Sequence, residues 1–210
     1  IMFGSSSVSD RADTSVALAS VAWSWLAVSI AGALPFLMTG SIEWTHFDDA
    51  LFESVSGFTC TGSTIFSDIE AVPRGVLFFR SMMQWFGGMG LIVLAVAVLP
   101  ALKIGGLELI ANEAPGPTAD RLTPKVTDTA RRLWLLYGGI TLFMIAALMI
   151  VGLSPYDASS HAFTTVATGG FSPYNASVAH FDSLLAEFII IGGMIFCGAN
   201  FSLHWYAFDR

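Results

Sequence analysis

The chain has 210 residues, 54% of them apolar and only 12% charged, with a formal net charge of -7 and a mean hydropathy of +0.69. That balance is too apolar for an ordinary globular domain. Two cysteines, Cys60 and Cys197, form no disulfide framework and no metal-ligand spacing.

The polar, Ser-rich opening Ile1–Asp13 shows no secretory signal peptide. The first run of membrane-spanning length follows, from Thr14 to about Phe36. Thr45-His46-Phe47-Asp48 then opens a short amphipathic segment predicted as a helix near 45–58. Thr45 is the expected cap, and Asp48 meets the positive helix end. The segment's apolar positions are Leu51, Phe52, Val55 and Phe58. It leads into Ser56-Gly57-Phe58-Thr59-Cys60-Thr61-Gly62-Ser63-Thr64, glycine set among small hydroxyl residues. A second spanning run covers roughly Val76 to Leu99.

The stretch 101–131 is polar, turn-rich and basic, with Gly105-Gly106, Pro115-Gly116-Pro117 and Leu122-Thr123-Pro124-Lys125, and reads as a connector. The third run is Leu133 to about Leu153. Ser154-Pro155-Tyr156-Asp157 opens a second short helix predicted near 154–166, with Ser154 as cap and Pro155 in the first turn. Its apolar positions are Ala158, Ala162, Phe163 and Val166. The loop Thr164-Thr165-Val166-Ala167-Thr168-Gly169-Gly170-Phe171-Ser172 comes next, about 108 residues after the first, and the fourth run is about Leu184 to Tyr206.

The same order of elements therefore occurs twice. Trp85-Phe86-Gly87-Gly88-Met89-Gly90 also matches Ile190-Ile191-Gly192-Gly193-Met194, glycine pairs that permit close helix packing or bending. The expected fold is an all-α membrane protein of two helix–short helix–helix units, 1–100 and 132–210, joined by the connector 101–131.

Irregular backbone at membrane depth is tolerated only where protein buries it or water reaches it. Carbonyls exposed along a wet path are what a permeating cation needs. Lys103, Arg121, Lys125, Arg131 and Arg132 gather in one segment, with Arg11 and Arg210 at the two ends. By the positive-inside rule the connector and both ends face the cytoplasm, and both glycine loops enter from outside. Each short helix then points its negative end toward the membrane centre, which favours a cation. Glu43, Asp48, Asp49, Glu53, Asp68 and Glu70 crowd the first outer hairpin, with Asp157 and Asp182 near the second. Acid at an outer mouth concentrates cations, and it equally suits an ordinary solvated surface. Glu53 is read as a brace for the loop or a residue facing outer water, ahead of a proton-relay role. An intramembrane enzyme would use Cys60 or Ser63 with His161, His180 or His204, yet no base has an identifiable pairing and the histidines read as packing residues. An accessory structural subunit would leave the polar loops unexplained.

The run from Phe52 to Thr64, Phe79-Arg80-Ser81-Met82-Met83-Gln84 into the glycine-rich stretch ending at Gly90, Glu113 to Pro117, Leu122-Thr123-Pro124, Thr168 to Ser172, and Asn200-Phe201-Ser202-Leu203-His204-Trp205 resemble, in order, the TrkH/KtrB/HKT superfamily of potassium transporters, most closely its TrkH branch. The resemblance implies a pseudo-fourfold, potassium-channel-like fold of four repeats, of which this chain matches the first two. The chain reads as an internal piece of a longer polypeptide that supplies the remaining repeats. The implied filter residues are Thr59, Cys60, Thr61 and Gly62 in the first loop and Thr168, Gly169 and Gly170 in the second, binding K+ through backbone carbonyls. Counting along the short helix selects Gly170 as the second filter glycine, whereas matching Thr-Gly to Thr-Gly selects Gly169; Gly170 is favoured. The resemblance also implies no catalytic residue, no cofactor, and K+ as transported ion with Na+ or Rb+ as alternatives. Its implied partners are the lipid bilayer, a second copy in a homodimer and a cytosolic TrkA-like nucleotide-binding subunit, with no nucleic acid. The implied location is a bacterial inner membrane.

Overall fold

The computed structural model describes residues 6–98 and 126–199, with side chains at 16, 19–90 and 131–199. Most of the predicted connector and the run 200–205 lie outside the described residues. Every regular element among the described residues is helical. In chain order they are α1 (Ser6–Met38), a 3-10 turn (Trp44–His46), α2 (Phe47–Phe58), α3 (Arg74–Val98), α4 (Val126–Ile150), α5 (Pro155–Val166), a second 3-10 turn (Ser177–Phe181) and α6 (Leu184–Gly198).

Ala19–Met38 and Arg131–Ile150 are long and apolar enough to cross a membrane, and Leu184–Gly198 is a shorter apolar helix. The helices α1 and α4 begin before the predicted apolar runs, so α4 starts inside the stretch assigned to the connector. Hydropathy reads the match to hydrocarbon, whereas a helix continues for as long as its backbone hydrogen bonds do.

The two short helices have 12 residues each, about 18 Å at the standard rise and well under a bilayer's apolar thickness. The Ser154 hydroxyl caps α5 by accepting from the Asp157 N–H at 3.2 Å. The expected cap at Thr45 is not made. Thr45 lies in the 3-10 turn, its hydroxyl donates to Glu43 at 3.3 Å, and His46 holds the cap position of α2 without a side-chain bond.

The packed face of α2 is not the one that carries all its apolar positions. Phe52 and Val55 are exposed, while Ala50, Glu53, Ser54, Ser56 and Gly57 are buried. The neighbours come too close for larger groups. A Cβ at Gly32 of α1 would lie 2.5 Å from Ser54 Oγ, and one at Gly57 would lie 3.1 Å from Met83 of α3. In α5 the apolar Ala158, Ala162 and Val166 are buried, as their pattern suggests.

Helix α3 joins the two units. Its first half, through Val76, Leu77 and Met83, packs into a core with Ala33, Phe36, Leu37 and Ala50. Its second half packs Met89 and Trp85 into a core with Tyr137, Met144, Ala158 and Ala162. Gly87 and Gly88 lie near its middle and let both short helices end there. A Cβ on Gly87 would overlap the Phe58 backbone, and one on Gly88 would lie 3.0 Å from Ala167. The close-packing role read from this glycine pair is therefore what the structure contains. At the other end of these short helices the two hairpins meet. The Ile69 N–H donates to Asn175 Oδ1 and Asn175 Nδ2 donates to Asp68 Oδ1, both at 2.8 Å. Both short helices thus start at one end of the helix bundle and stop near the middle of α3, and Arg131 lies toward the opposite end of α4.

Candidate functional site

The two loops share one backbone design. Cys60 and Gly62 have φ of 56° and 76°, and Thr168 and Gly170 have 55° and 84°. The hydrogen bonds correspond as well: Thr61 and Gly62 N–H groups donate to Ser56 C=O at 3.0 and 3.5 Å, and Gly169 and Gly170 N–H groups to Thr164 C=O at 2.9 and 3.5 Å. Every pair is offset by 108 residues, so Gly170 and not Gly169 is the backbone counterpart of Gly62. Positive φ at Cys60 and Thr168 is a conformation that non-glycine residues hold only when their surroundings impose it. The surroundings here are the short helix behind and the other loop in front, since a Cβ on Gly62 would strike the Gly169 carbonyl oxygen.

Behind each loop the same position of the short helix braces the returning chain, with different chemistry. In the first unit it is Glu53, fully buried. Its carboxylate accepts from the Thr64 hydroxyl at 2.9 Å and the Ile65 N–H at 3.1 Å. Arg80 of α3 lies against it, Nε donating at 2.6 Å and an Nη nitrogen 2.6 Å away. In the second unit the position is His161, 108 residues on. Its Nδ1–H donates to the Asp157 carbonyl at 2.9 Å, so Nε2 accepts from the Ser172 hydroxyl at 3.2 Å. Glu53 is a brace, one of its two favoured readings, and is closed to outer water; His161 braces the second loop, and His180 is a packing residue. His180 stacks on Tyr174 with ring centroids 3.6 Å apart.

Two of the acids counted at the outer mouth are internal. Glu53 is one. Asp157 is the other, buried and accepting from the Ser154 hydroxyl at 2.6 Å and the Tyr174 hydroxyl at 2.8 Å. Burial, with the hydrogen bond to Asp157, pushes the Tyr174 phenol up to about 12, so Tyr174 keeps its proton and remains a donor throughout the physiological range. The Cys60 thiol donates to the Gln84 main-chain carbonyl at 3.3 Å.

The residues that sequence reasoning missed are on α3. Arg80 and Gln84 are both buried inside an apolar run. Arg80 also lies over the Phe171 ring, 4.1 Å from its centroid, and Gln84 Oε1 accepts from the Phe171 N–H at 3.0 Å. The signal was available: a cation and an amide at i, i+4 share one helix face, and polar groups in such a run need internal partners.

Two helices long and apolar enough to cross a membrane, α1 and α4, pack beside two short helices that end near the middle of α3 and turn back, the arrangement expected of a helical membrane protein. Residues 3–210 match the family model TrkH, described as a cation transport protein. The Trk system potassium uptake protein TrkH of Vibrio parahaemolyticus is 43% identical over 185 residues, 88% of this chain and 38% of that protein. TrkH of Escherichia coli K12 is 44% identical over 182 residues, 86% of this chain and 38% of the relative. TrkG from the same organism is 41% identical over 183 residues, 87% and 37%. The crystal structure of the potassium transporter TrkH from Vibrio parahaemolyticus superposes with a TM-score of 0.77 at 40% identity, covering 91% of this chain and 37% of that one. The chain belongs to the TrkH family of cation transport proteins, a family of transporters and not of enzymes. It spans under two fifths of the length of these relatives.

Proposed function

We propose that the two glycine loops line half of a potassium pathway in the membrane. In this reading the backbone carbonyls of Thr59, Cys60, Thr61 and Gly62 and of Thr168, Gly169 and Gly170 take the place of water around the ion. Gly62 and Gly170 are the two filter glycines. The observation that carries the reading is the pair of matched backbone turns meeting where Gly62 abuts the Gly169 carbonyl. The loops also leave Thr59, Thr61, Thr168 and Gly170 open on one side. Exposed irregular backbone at that depth needs protein or water against it. Two further repeats of the longer polypeptide would close the ring into a pseudo-fourfold pore. Residues 1–100 and 132–210 are then its first two repeats and 101–131 their cytoplasmic connector. The relatives' names support potassium as the ion, and the site needs no cofactor. The pathway sits in the plasma membrane with its loops outside, as a homodimer regulated by a TrkA-like cytosolic subunit.

The test is rubidium uptake by the full-length protein in cells without other potassium uptake. Uptake above vector control, blocked by excess K+, is expected; none at normal membrane abundance rejects the reading. Outer acid should set rate and leave selectivity alone. Neutralising the surface residues Glu43, Asp48 and Asp49 together lowers uptake at low ionic strength. The loss fades in high salt, because surface fields are screened over about 8–10 Å at physiological ionic strength. An unchanged low-salt rate would remove steering from the proposal.

A further inference from the structure

The face of α3 that carries Arg80 and Gln84 has no equivalent in the second unit. Aligning Gly87-Gly88 with Gly192-Gly193 sets Leu185 opposite Arg80 and Ile189 opposite Gln84, and Leu185 is exposed. The second loop is therefore held from the first unit's helix. Phe171, the residue after Gly170, is held twice, its ring beneath the Arg80 guanidinium and its N–H on Gln84 Oε1. The same Gln84 holds the first loop through its main-chain carbonyl, which accepts the Cys60 thiol.

The amide occupies the gap between the loops. A Cβ on Gly169 would overlap the Gln84 side-chain amide, and one on Gly62 would lie 3.7 Å from its Nε2. Gln84 has no solvent exposure, and Nε2 has no hydrogen-bond partner among the described residues. Burying an unpartnered donor is costly, so the amide sits in this gap at a local penalty. Its contacts with Phe171 and the Gly62–Gly169 approach make a spacer of the side chain.

We propose that Gln84 is a specificity-determining positioning residue: its amide sets the separation and register of the two glycine loops and so the preference for K+ over Na+. The proposal rests on the reading of these loops as the cation pathway. Selectivity depends on how carbonyl dipoles are spaced and how firmly they are held, and a spacer acts on both. Arg80 and Glu53 supply the rigid backing, and Gln84 is the element in contact with both turns.

The experiment measures Rb+ and Na+ fluxes through the full-length protein, normalised to membrane abundance, for Gln84→Leu, Gln84→Asn and Gly62→Ser. Leucine keeps most of the volume but cannot accept from the Phe171 N–H, so the Rb+/Na+ ratio should fall roughly tenfold, the scale set by orphaning one buried donor. Asparagine keeps the amide but is one methylene short, and should give a smaller fall. A purely structural role would lower both fluxes and abundance together and leave the ratio unchanged, which overturns the proposal. If leucine does not accumulate, a wild-type ratio in the asparagine variant is decisive against it. Loss of selectivity in Gly62→Ser alone refutes the role of Gln84 and leaves the pathway standing; retained selectivity in both refutes the pathway itself.

Discussion

Replacing Gly62 by Ser should abolish most of the preference for K+ over Na+ while leaving the protein in the membrane. Two separate costs meet at this residue. Its φ of 76° lies in the left-handed region, where a side chain costs about 1–2 kcal/mol. The Cβ would also strike the Gly169 carbonyl oxygen of the facing loop. That obstacle is backbone, so no change of side-chain rotamer relieves it. The loops must separate, and the carbonyls of both move together. A displacement worth 1–2 kcal/mol corresponds to a change of roughly tenfold in relative ion preference, read as the ratio of Rb+ to Na+ flux in the full-length protein. Cys60→Ser should be much milder. Its side chain already hydrogen-bonds the Gln84 carbonyl, a bond serine can also donate, and only its backbone belongs to the loop. A Gly62→Ser protein with wild-type ion preference at normal abundance would remove Gly62 from the filter.

The second large effect concerns the buried ion pair. Glu53 and Arg80 side chains are 0% and 1% exposed. Removing one charge leaves the other uncompensated, which costs about 3–5 kcal/mol, a large part of the 5–15 kcal/mol that keeps a typical protein folded. Arg80→Met should therefore accumulate poorly in the membrane and lower the unfolding temperature in detergent. Glu53→Gln should behave similarly, because it also disturbs an acceptor for the Thr64 hydroxyl and Ile65 N–H. The double variant removes both charges and should recover part of the loss, since neutral groups of similar volume tolerate burial. A double variant no better than the worse single one would show that each residue acts through separate contacts and not as a pair.

Much of the architecture could be read along the chain. The short helices were expected near 45–58 and 154–166, and α2 and α5 run Phe47–Phe58 and Pro155–Val166. Local rules suffice there: an apolar segment too short to span, a Ser-Pro start for α5, and glycine beyond the last turn. The duplication was equally visible, because residue types and order repeat in the two halves. The choice between Gly169 and Gly170 was different. Two alignments of one short motif compete, and only hydrogen bonds counted from Ser56 and Thr164, with the sign of φ, make Gly170 the counterpart of Gly62.

What the amino-acid order determined by itself was the set of helices, their apolar runs and the two glycine loops, since these depend on contacts within a few residues. Tertiary structure alone decided which polar residues serve those loops. Glu53 and Arg80 are 27 residues apart, and Gln84 and Phe171 are 87 apart. Such pairs form only when α3 packs against both short helices, and hydropathy scores Arg80 and Gln84 merely as interruptions. The buried polar face of α2 was hidden for the same reason. Small residues there follow from how near α1 and α3 approach, a distance that no pattern within α2 encodes.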